Sequence, residues 1–529
     1  EWPPGQNSWF IPINEIKSRV EDDPVTVRRV LHNIKPDLDE STLGSLTNQI
    51  CTASPRLFAL LLCNGGGKSY SAIQDLIEEG VTDKDLPLVR IYRGESQYRR
   101  QWELGRNSHE TCSLDYHGDC GIRSLSSWTT SEREVLFLDQ WMVMAPIFEN
   151  GTSFIPSHYE LDNRVILPYV EDKERGVGCV SYGGFSEVWG VRIHPAHQQM
   201  LSSQNPLFAV KRLFSQEYTA FERERYVLSQ LALKNEPHLI KLLATYKFKG
   251  SYHLLFPYAK LNLRLYWRLN PAPYWERTRA LWFLEQLLGL ASALHVIHDF
   301  RTVQSKEFDE SDDQVFRGRS STAGRRAIDR EEKFGRHGDL KPENILWFDD
   351  LDPTGILQIA GFGLSRFHRL ESRSRSRGDP HTVNGSPTYM GPELALGRNV
   401  SRAYDIWCFG CVFLEFITWI LDGNTALEKF ADARLALSFD GVEDDTFYSL
   451  YNSDTGKSCT VQPEVTNWIQ RLRSHEHCSG MIQDLLDLVE DKMLQVKSED
   501  RVRSGELKER LKSMVTKCRL NVEYLLGDQ

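Results

Sequence analysis

The sequence predicts an α+β chain in two lobes, one built on a small antiparallel sheet and one helical, preceded by a mainly helical region. Three changes of pattern carry this expectation. Residues 1 to about 160 repeat apolar positions at helical spacing; from about 161 the apolar positions alternate; beyond Lys260 the helical spacing returns. The expected units are therefore 1–160, a mainly helical N-terminal domain; 161–259, the strand-rich lobe; and 260–519, the helical lobe.

In the first unit Val27, Val30, Leu31 and Ile34 share one helical face. Ile73, Leu76 and Ile77 repeat that spacing ahead of Gly80, a helix stop. Ser131 with Glu134 fits a capping box before an apolar helix running through Trp141, which Pro146 ends. In the second unit Val188, Val191 and Ile193 alternate with polar residues, as do Phe208 and Val210, which predicts paired strands with Gly183 and Gly184 at the turn before them. A helix over Tyr218 to Leu233 and a strand over His253 to Phe256 follow. In the third unit Leu284, Leu287, Leu288, Ala291 and Leu294 mark a long helix. Between about 299 and 335 charge and serine replace apolar periodicity, with Asp309 to Asp313 acidic and Arg317 to Arg326 basic, which predicts a disordered insertion. Ile406 to Leu421 is the most apolar stretch; it is short for a membrane span and carries Glu415, so a buried helix is expected.

Composition excludes several function classes. Lys and Arg number 63 against 73 Asp and Glu, so no polybasic surface for nucleic acid or anionic lipid is implied. The ten cysteines are dispersed rather than arranged as a secreted disulfide framework, which points to a reducing, intracellular and cytoplasmic setting. Gly65 to Ser69 suggests a phosphate loop, but Leu62 stands where its first glycine is needed, so a helix connection is favoured. His109, Cys112, His117 and Cys120 have spacings that zinc tolerates, without a second knuckle. Cys408 and Cys411 read as core thiols on a buried helix.

The chemistry concentrates in His337-Gly338-Asp339-Leu340-Lys341-Pro342-Glu343-Asn344. Phosphoryl transfer needs an acid, a cation and a metal-holding amide close together. Asp339 can accept the proton of a hydroxyl, Lys341 can neutralise a migrating phosphoryl, and Asn344 can hold a metal ion bridging phosphates. The loop resembles the catalytic loop of eukaryotic protein kinases, and the resemblance runs over about 360 residues in the family's order. The whole chain is similar in layout to fungal kinase-type proteins with an N-terminal extension.

That resemblance implies a protein-kinase-like fold and gives roles to further positions. Phe208-Ala209-Val210-Lys211 resembles the strand whose lysine grips the ATP phosphates, with Glu224 as its partner. Ser181-Tyr182-Gly183-Gly184-Phe185-Ser186-Glu187-Val188 resembles the glycine-rich loop, although Ser181 and Ser186 replace two of its glycines. Phe256 falls at the back of the nucleotide pocket, and Pro257, Tyr258 and Ala259 fall at the hinge that would hold adenine. Gly391-Pro392-Glu393, Asp405 and Arg501 match structural positions of the family, Arg501 pairing with that glutamate. Two departures stand out. Gly361 in Gly361-Phe362-Gly363 occupies the place of the aspartate that binds magnesium, and Gly338 replaces an arginine that pairs with a phosphorylated activation segment. Asp349, Asp350 and Asp352 are a strand away and are not expected to substitute for the lost carboxylate. Ser372, Ser374, Ser376 and Thr388 remain candidate modification positions. Two functions follow from the resemblance: a serine/threonine kinase using ATP and magnesium, or a pseudokinase that presents its surfaces to a protein partner.

Overall fold

The fold follows from where each segment places its apolar residues. The computed structural model describes residues 9–64, 67–93, 101–107, 121–151, 156–170, 178–182, 186–202, 206–214, 218–300, 335–349, 354–361, 387–437, 443–454 and 456–527. The expected insertion at about 299–335 and the His109 to Cys120 cluster fall almost wholly outside the described residues.

The chain opens with helices α1 (Ile13–Ile16), α2 (Pro24–Ile34), α3 (Glu40–Ala53), α4 (Pro55–Cys63) and α5 (Gly67–Glu78), then a two-stranded ribbon, β1 (Val89–Arg93) with β2 (Gln101–Gly105), and α6 (Thr130–Asp139). Their starts are chemically fixed. Asp23 accepts from the Thr26 N–H at 3.0 Å with Pro24 at the first helical position, and Asp39 accepts from the N–H groups of Ser41 and Thr42. Val27, Leu31, Ile73, Leu76 and Ile77 are buried in one cluster. The capping box of α6 lies two residues earlier than expected. The Thr129 hydroxyl accepts from the Glu132 N–H and the Glu132 carboxylate from the Thr129 N–H at 2.7 Å, leaving Ser131 and Glu134 inside the helix. The expected run through Trp141 becomes a tighter turn, Gln140–Val143.

The central sheet contains β3 (Ser157–Glu160), β4 (Tyr169–Val170), β5 (Gly178–Tyr182), β6 (Ser186–Ile193), β7 (Leu207–Leu213), β8 (Ala244–Phe248) and β9 (Ser251–Pro257), in the order β3-β8-β9-β7-β6-β4 with β5 on β6. It is antiparallel apart from β3, which pairs parallel with β8 and comes from ahead of the expected boundary at 161. Period-two alternation divides the strands between two cores. Val191, Ile193, Phe208, Val210 and Leu255 pack with Phe148 and Tyr246 on one face. The cross-strand rows Val188–Lys211–Leu254 and Gly190–Ala209–Phe256 therefore share the other face. Leu254 of that face packs with Phe221 and Leu228 of α7 (Tyr218–Ala232) in the largest core.

Beyond β10 (Leu261–Asn262) come α8 (Leu263–Leu269), α9 (Arg277–Asp299), β11 (Ile345–Phe348), β12 (Ile356–Ile359), α10 (Pro392–Ala395), α11 (Ala403–Asp422), α12 (Asn424–Arg434), α13 (Pro463–Arg473), α14 (Gly480–Leu488), α15 (Ser504–Leu520) and α16 (Val522–Leu526). This core continues past the expected end at 519, since Tyr524, Leu525 and Leu526 are buried in it. By length and composition α9 and α11 could each cross a bilayer, yet 67% and 94% of their apolar windows are covered by the protein itself, which marks them as core helices. Helix α11 is longer than the apolar stretch in the sequence suggested, and it tolerates Glu415 because the Tyr389 hydroxyl donates to that carboxylate at 2.7 Å and Arg264 lies 3.3 Å away. Cys408 and Cys411 are buried free thiols on this helix, as expected.

Glu393, at the start of α10, and Arg501 form a bidentate pair at 2.9 and 3.0 Å, with side chains 4% and 0% exposed; Arg501 also donates to the Ala403 carbonyl. Arg501→Ala strands a buried carboxylate and is expected to lower stability by about 3–5 kcal/mol, read from urea unfolding. Burial also holds the imidazoles of His238 and His197 below their ordinary value and brings His253 down to about 3. The unfolded chain takes up protons near 6.5 that the native chain refuses, so stability is expected to fall as pH drops below that value. A lower urea midpoint at pH 5 than at pH 7 checks this; an unchanged midpoint contradicts it.

Candidate active site

One buried carboxylate shapes the loop that carries Asp339. Asp405, near the start of α11, is fully buried and accepts three hydrogen bonds: from the His337 N–H at 2.9 Å, the Gly338 N–H at 2.7 Å and His298 Nε2 at 2.9 Å. Burial pushes its carboxyl upward, but the hydrogen bonds from His298 and from the Gly338 N–H act the other way, and the group is held below the usual carboxylate range. To present its N–H, Gly338 adopts φ +80, a conformation that glycine enters without a Cβ penalty.

The histidine beside it is fixed in tautomer. His337 Nδ1 accepts from the Asp339 N–H at 3.2 Å, so Nε2 carries the hydrogen and donates to the Ala360 carbonyl at 2.8 Å. Burial lowers its pKa and keeps the ring neutral. His337 thereby connects the Asp339 loop to the residue just before Gly361. The Ala360 N–H closes the same link from the other side, donating to the Asn344 carbonyl at 2.9 Å.

Asp339, Lys341 and Asn344 are brought together. Lys341 Nζ lies 3.0 Å from Asp339 Oδ2 and 3.2 Å from Oδ1, and Asn344 Nδ2 donates to Asp339 Oδ2 at 2.9 Å and to its backbone carbonyl at 2.7 Å. The Asp339 side chain remains 46% exposed, so a hydroxyl can still reach it. The tight turn Pro342–Asn344 sets the offsets, and its Glu343 is held by Arg264 at 3.2 Å. Arg264 also contacts the Tyr389 hydroxyl and Glu415, which ties the turn to α11. Sequence reasoning missed Arg264 and His298; the signal for the first was Glu415, an acid inside the most apolar stretch.

The residues do not fit a magnesium ion. Such an ion takes oxygen ligands in octahedral geometry, generally one or two carboxylates with the substrate phosphates. Gly361 supplies no carboxylate, Asp339 is occupied by Lys341 and Asn344, and Asp349 is paired with Lys260. The Asn344 amide donates its N–H₂ to Asp339, which turns its Oδ1, the one atom of that side chain able to ligate a metal, toward Gly361; this neutral oxygen is there without a carboxylate beside it. Among the described residues no three His, Cys, Asp or Glu side chains gather into a metal-binding group. A Cβ on Gly361, where φ is +87, would sit 3.0 Å from Asn344 Cγ, so the position of the missing carboxylate directly adjoins that amide. Asp350, Asp352, Phe362 and Gly363 lie outside the described residues.

The other expected residues lie in the sheet. Lys211 Nζ is 2.9 Å from Glu224 Oε1 of α7, with side chains 14% and 2% exposed. Lys211 shares its sheet face with Val188, Ala209 and Phe256. Ser181 and Ser186 fall on β5 and β6, while Gly183 and Gly184 lie outside the described residues. Tyr258 and Ala259 connect β9 to β10, and the next N–H, that of Lys260, donates to the Trp347 carbonyl. The sheet is tied to the Gly361 strand by the Ile240 N–H donating to the Ile359 carbonyl at 3.0 Å and the Ile359 N–H to the His238 carbonyl at 2.8 Å. Thr388 corrects one expectation: it is buried and its hydroxyl donates to Asp445, so it is not open to modification in this conformation.

Comparison with known proteins agrees with this geometry. Residues 332–510 match the protein kinase domain family. A cGMP-dependent protein kinase of Eimeria tenella is 36% identical over 378 residues, 69% of this chain and 31% of that protein. A cyclin-dependent kinase E-1 of Arabidopsis thaliana is 40% identical over 160 residues, 29% of this chain and 32% of its own length. A serine/threonine protein kinase of Aspergillus fumigatus is 24% identical over 271 residues, 50% of this chain and 35% of its own. The chain thus spans about a third of the length of these relatives. With Asp339, Lys341 and Asn344 inside the matched segment, residues 332–510 carry a protein kinase domain of the eukaryotic protein kinase superfamily.

Proposed function

We propose that this chain is a serine/threonine-kinase-like protein that binds ATP on the Lys211 face of the sheet and passes its γ-phosphoryl to protein hydroxyls at Asp339, at a rate limited by Gly361. In this reading the chain divides into a helical N-terminal domain at 1–160, a sheet lobe at 161–259 and a helical lobe at 260–519. The single observation that carries it is the preassembled Asp339–Lys341–Asn344 group, whose carboxylate is half exposed. Asp339 orients the substrate hydroxyl and takes its proton, while Lys341 and Lys211 neutralise phosphate charge. Val188, Ala209 and Phe256 would line the base, with Tyr258 and Ala259 offering hinge backbone to it. Preference for serine and threonine over tyrosine rests on Lys341, by analogy with the serine/threonine relatives.

A second reading, a pseudokinase that serves as an interaction scaffold, is favoured by Gly361 itself. The family draws charge neutralisation from magnesium, worth several kcal/mol, and this chain offers it no carboxylate at that position.

Two measurements separate the readings. Asp339→Asn is expected to lower γ-phosphate transfer to a generic basic protein by about 100-fold or more. No transfer by either protein would leave the scaffold reading. Gly361→Asp requires the Asn344 amide to yield a few tenths of an ångström, which a side chain can do, and aspartate tolerates positive φ better than most residues. That variant is expected to gain transfer by about 10- to 100-fold, and only with magnesium present; a scaffold would show no biological change.

A further inference from the structure

Building on the nucleotide-binding reading above, we infer that this chain holds ATP as the free nucleotide, without a divalent cation, its triphosphate charge being met by Lys211 and Lys341.

The inference comes from how the acids around the site are used. Asp339 is bonded to Lys341 and Asn344, Glu224 to Lys211, Glu343 to Arg264 and Asp349 to Lys260. Asp405 is fully buried beneath the loop with three donors of its own. Each of these carboxylates already has an internal cation or a set of N–H donors. A divalent ion would have to displace one of them to gain a carboxylate from the protein, which leaves the neutral Asn344 Oδ1 beside Gly361 as the protein oxygen open to it among the described residues. At Gly361, where a carboxylate would have adjoined Asn344, there is only Cα.

The same arrangement suits an uncomplexed triphosphate. The Lys211 side chain is 14% exposed and that of Lys341 18%, so both cations are held in largely buried surroundings, at 2.9 and 3.0 Å from Glu224 and Asp339. Partial burial strengthens their attraction to phosphate oxygens. Magnesium bound to the phosphates would cancel part of that attraction and bring a hydrated cation up to two lysines. Free ATP is therefore the better ligand, and added magnesium competes with the protein for the phosphates.

Isothermal titration calorimetry of ATP into the full chain, with chelator and then with excess magnesium, tests this. Binding that is at least as tight in chelator as in magnesium is expected. Lys341→Gln should weaken the chelator-phase affinity by about 10-fold, the worth of one hydrogen bond to a charged group. In Gly361→Asp the order should reverse, with magnesium tightening binding. Heat of binding seen only with magnesium in the unaltered chain would overturn the inference while leaving the nucleotide site standing. Absence of binding in both buffers would overturn the inference and the nucleotide reading together.

Discussion

The structure depends first on the Asp405 carboxylate. Buried at the start of the most apolar helix, it is worth its desolvation because three donors converge on it. Two of these donors are backbone N–H groups of the loop that bears Asp339. The carboxylate therefore fixes backbone rather than a side chain, and the loop's chemistry inherits the rigidity of α11. His337 passes the constraint on through its Nε2–H to Ala360, so the position of Gly361 is set by the same group.

A second constraint operates in the sheet. Two-residue alternation sends Phe208 and Val210 to one core and leaves Ala209 and Lys211 on the opposite face. Lys211 cannot remain there unpaired, and α7 brings Glu224 to it. Among the described residues Glu224 Oε2 has no hydrogen-bond partner, and Oε1 carries the bond to the lysine. Strand β12 joins the two regions, since Ile359 bonds to the segment after α7 and is followed directly by Ala360 and Gly361.

Much of this was legible in the sequence, because helix faces, strand alternation and the offsets among Asp339, Lys341 and Asn344 are local properties. The misses were of two kinds. Local competition moved the α6 capping box, since Thr129 with Glu132 and Ser131 with Glu134 have the same spacing and only the path of the preceding chain selects one. The parallel edge strand β3, the Arg264–Glu415–Tyr389 brace and the burial of Thr388 depend on contacts between residues far apart in sequence. No periodicity reports such contacts, although an acid amid apolar residues, as at Glu415, announces that some partner exists.

Gly361 shows why a fold of this kind can keep its shape while its chemistry changes. The groups that organise the loop, Asp405, His298, His337 and the Ala360 backbone, are all present, and none of their hydrogen bonds involves a side chain at position 361. A carboxylate at 361 would bring a charge beside Asn344 that only a cation could justify. Glycine there offers no ligand and brings no negative charge toward Asp339. Glycine at 361 therefore costs the fold little: Lys211 and Lys341 keep their own partners, Glu224 and Asp339, and the site carries one negative charge fewer than it would with aspartate there. The hydrogen bonds that hold the loop and the side chains it presents thus belong to different residues of one short segment.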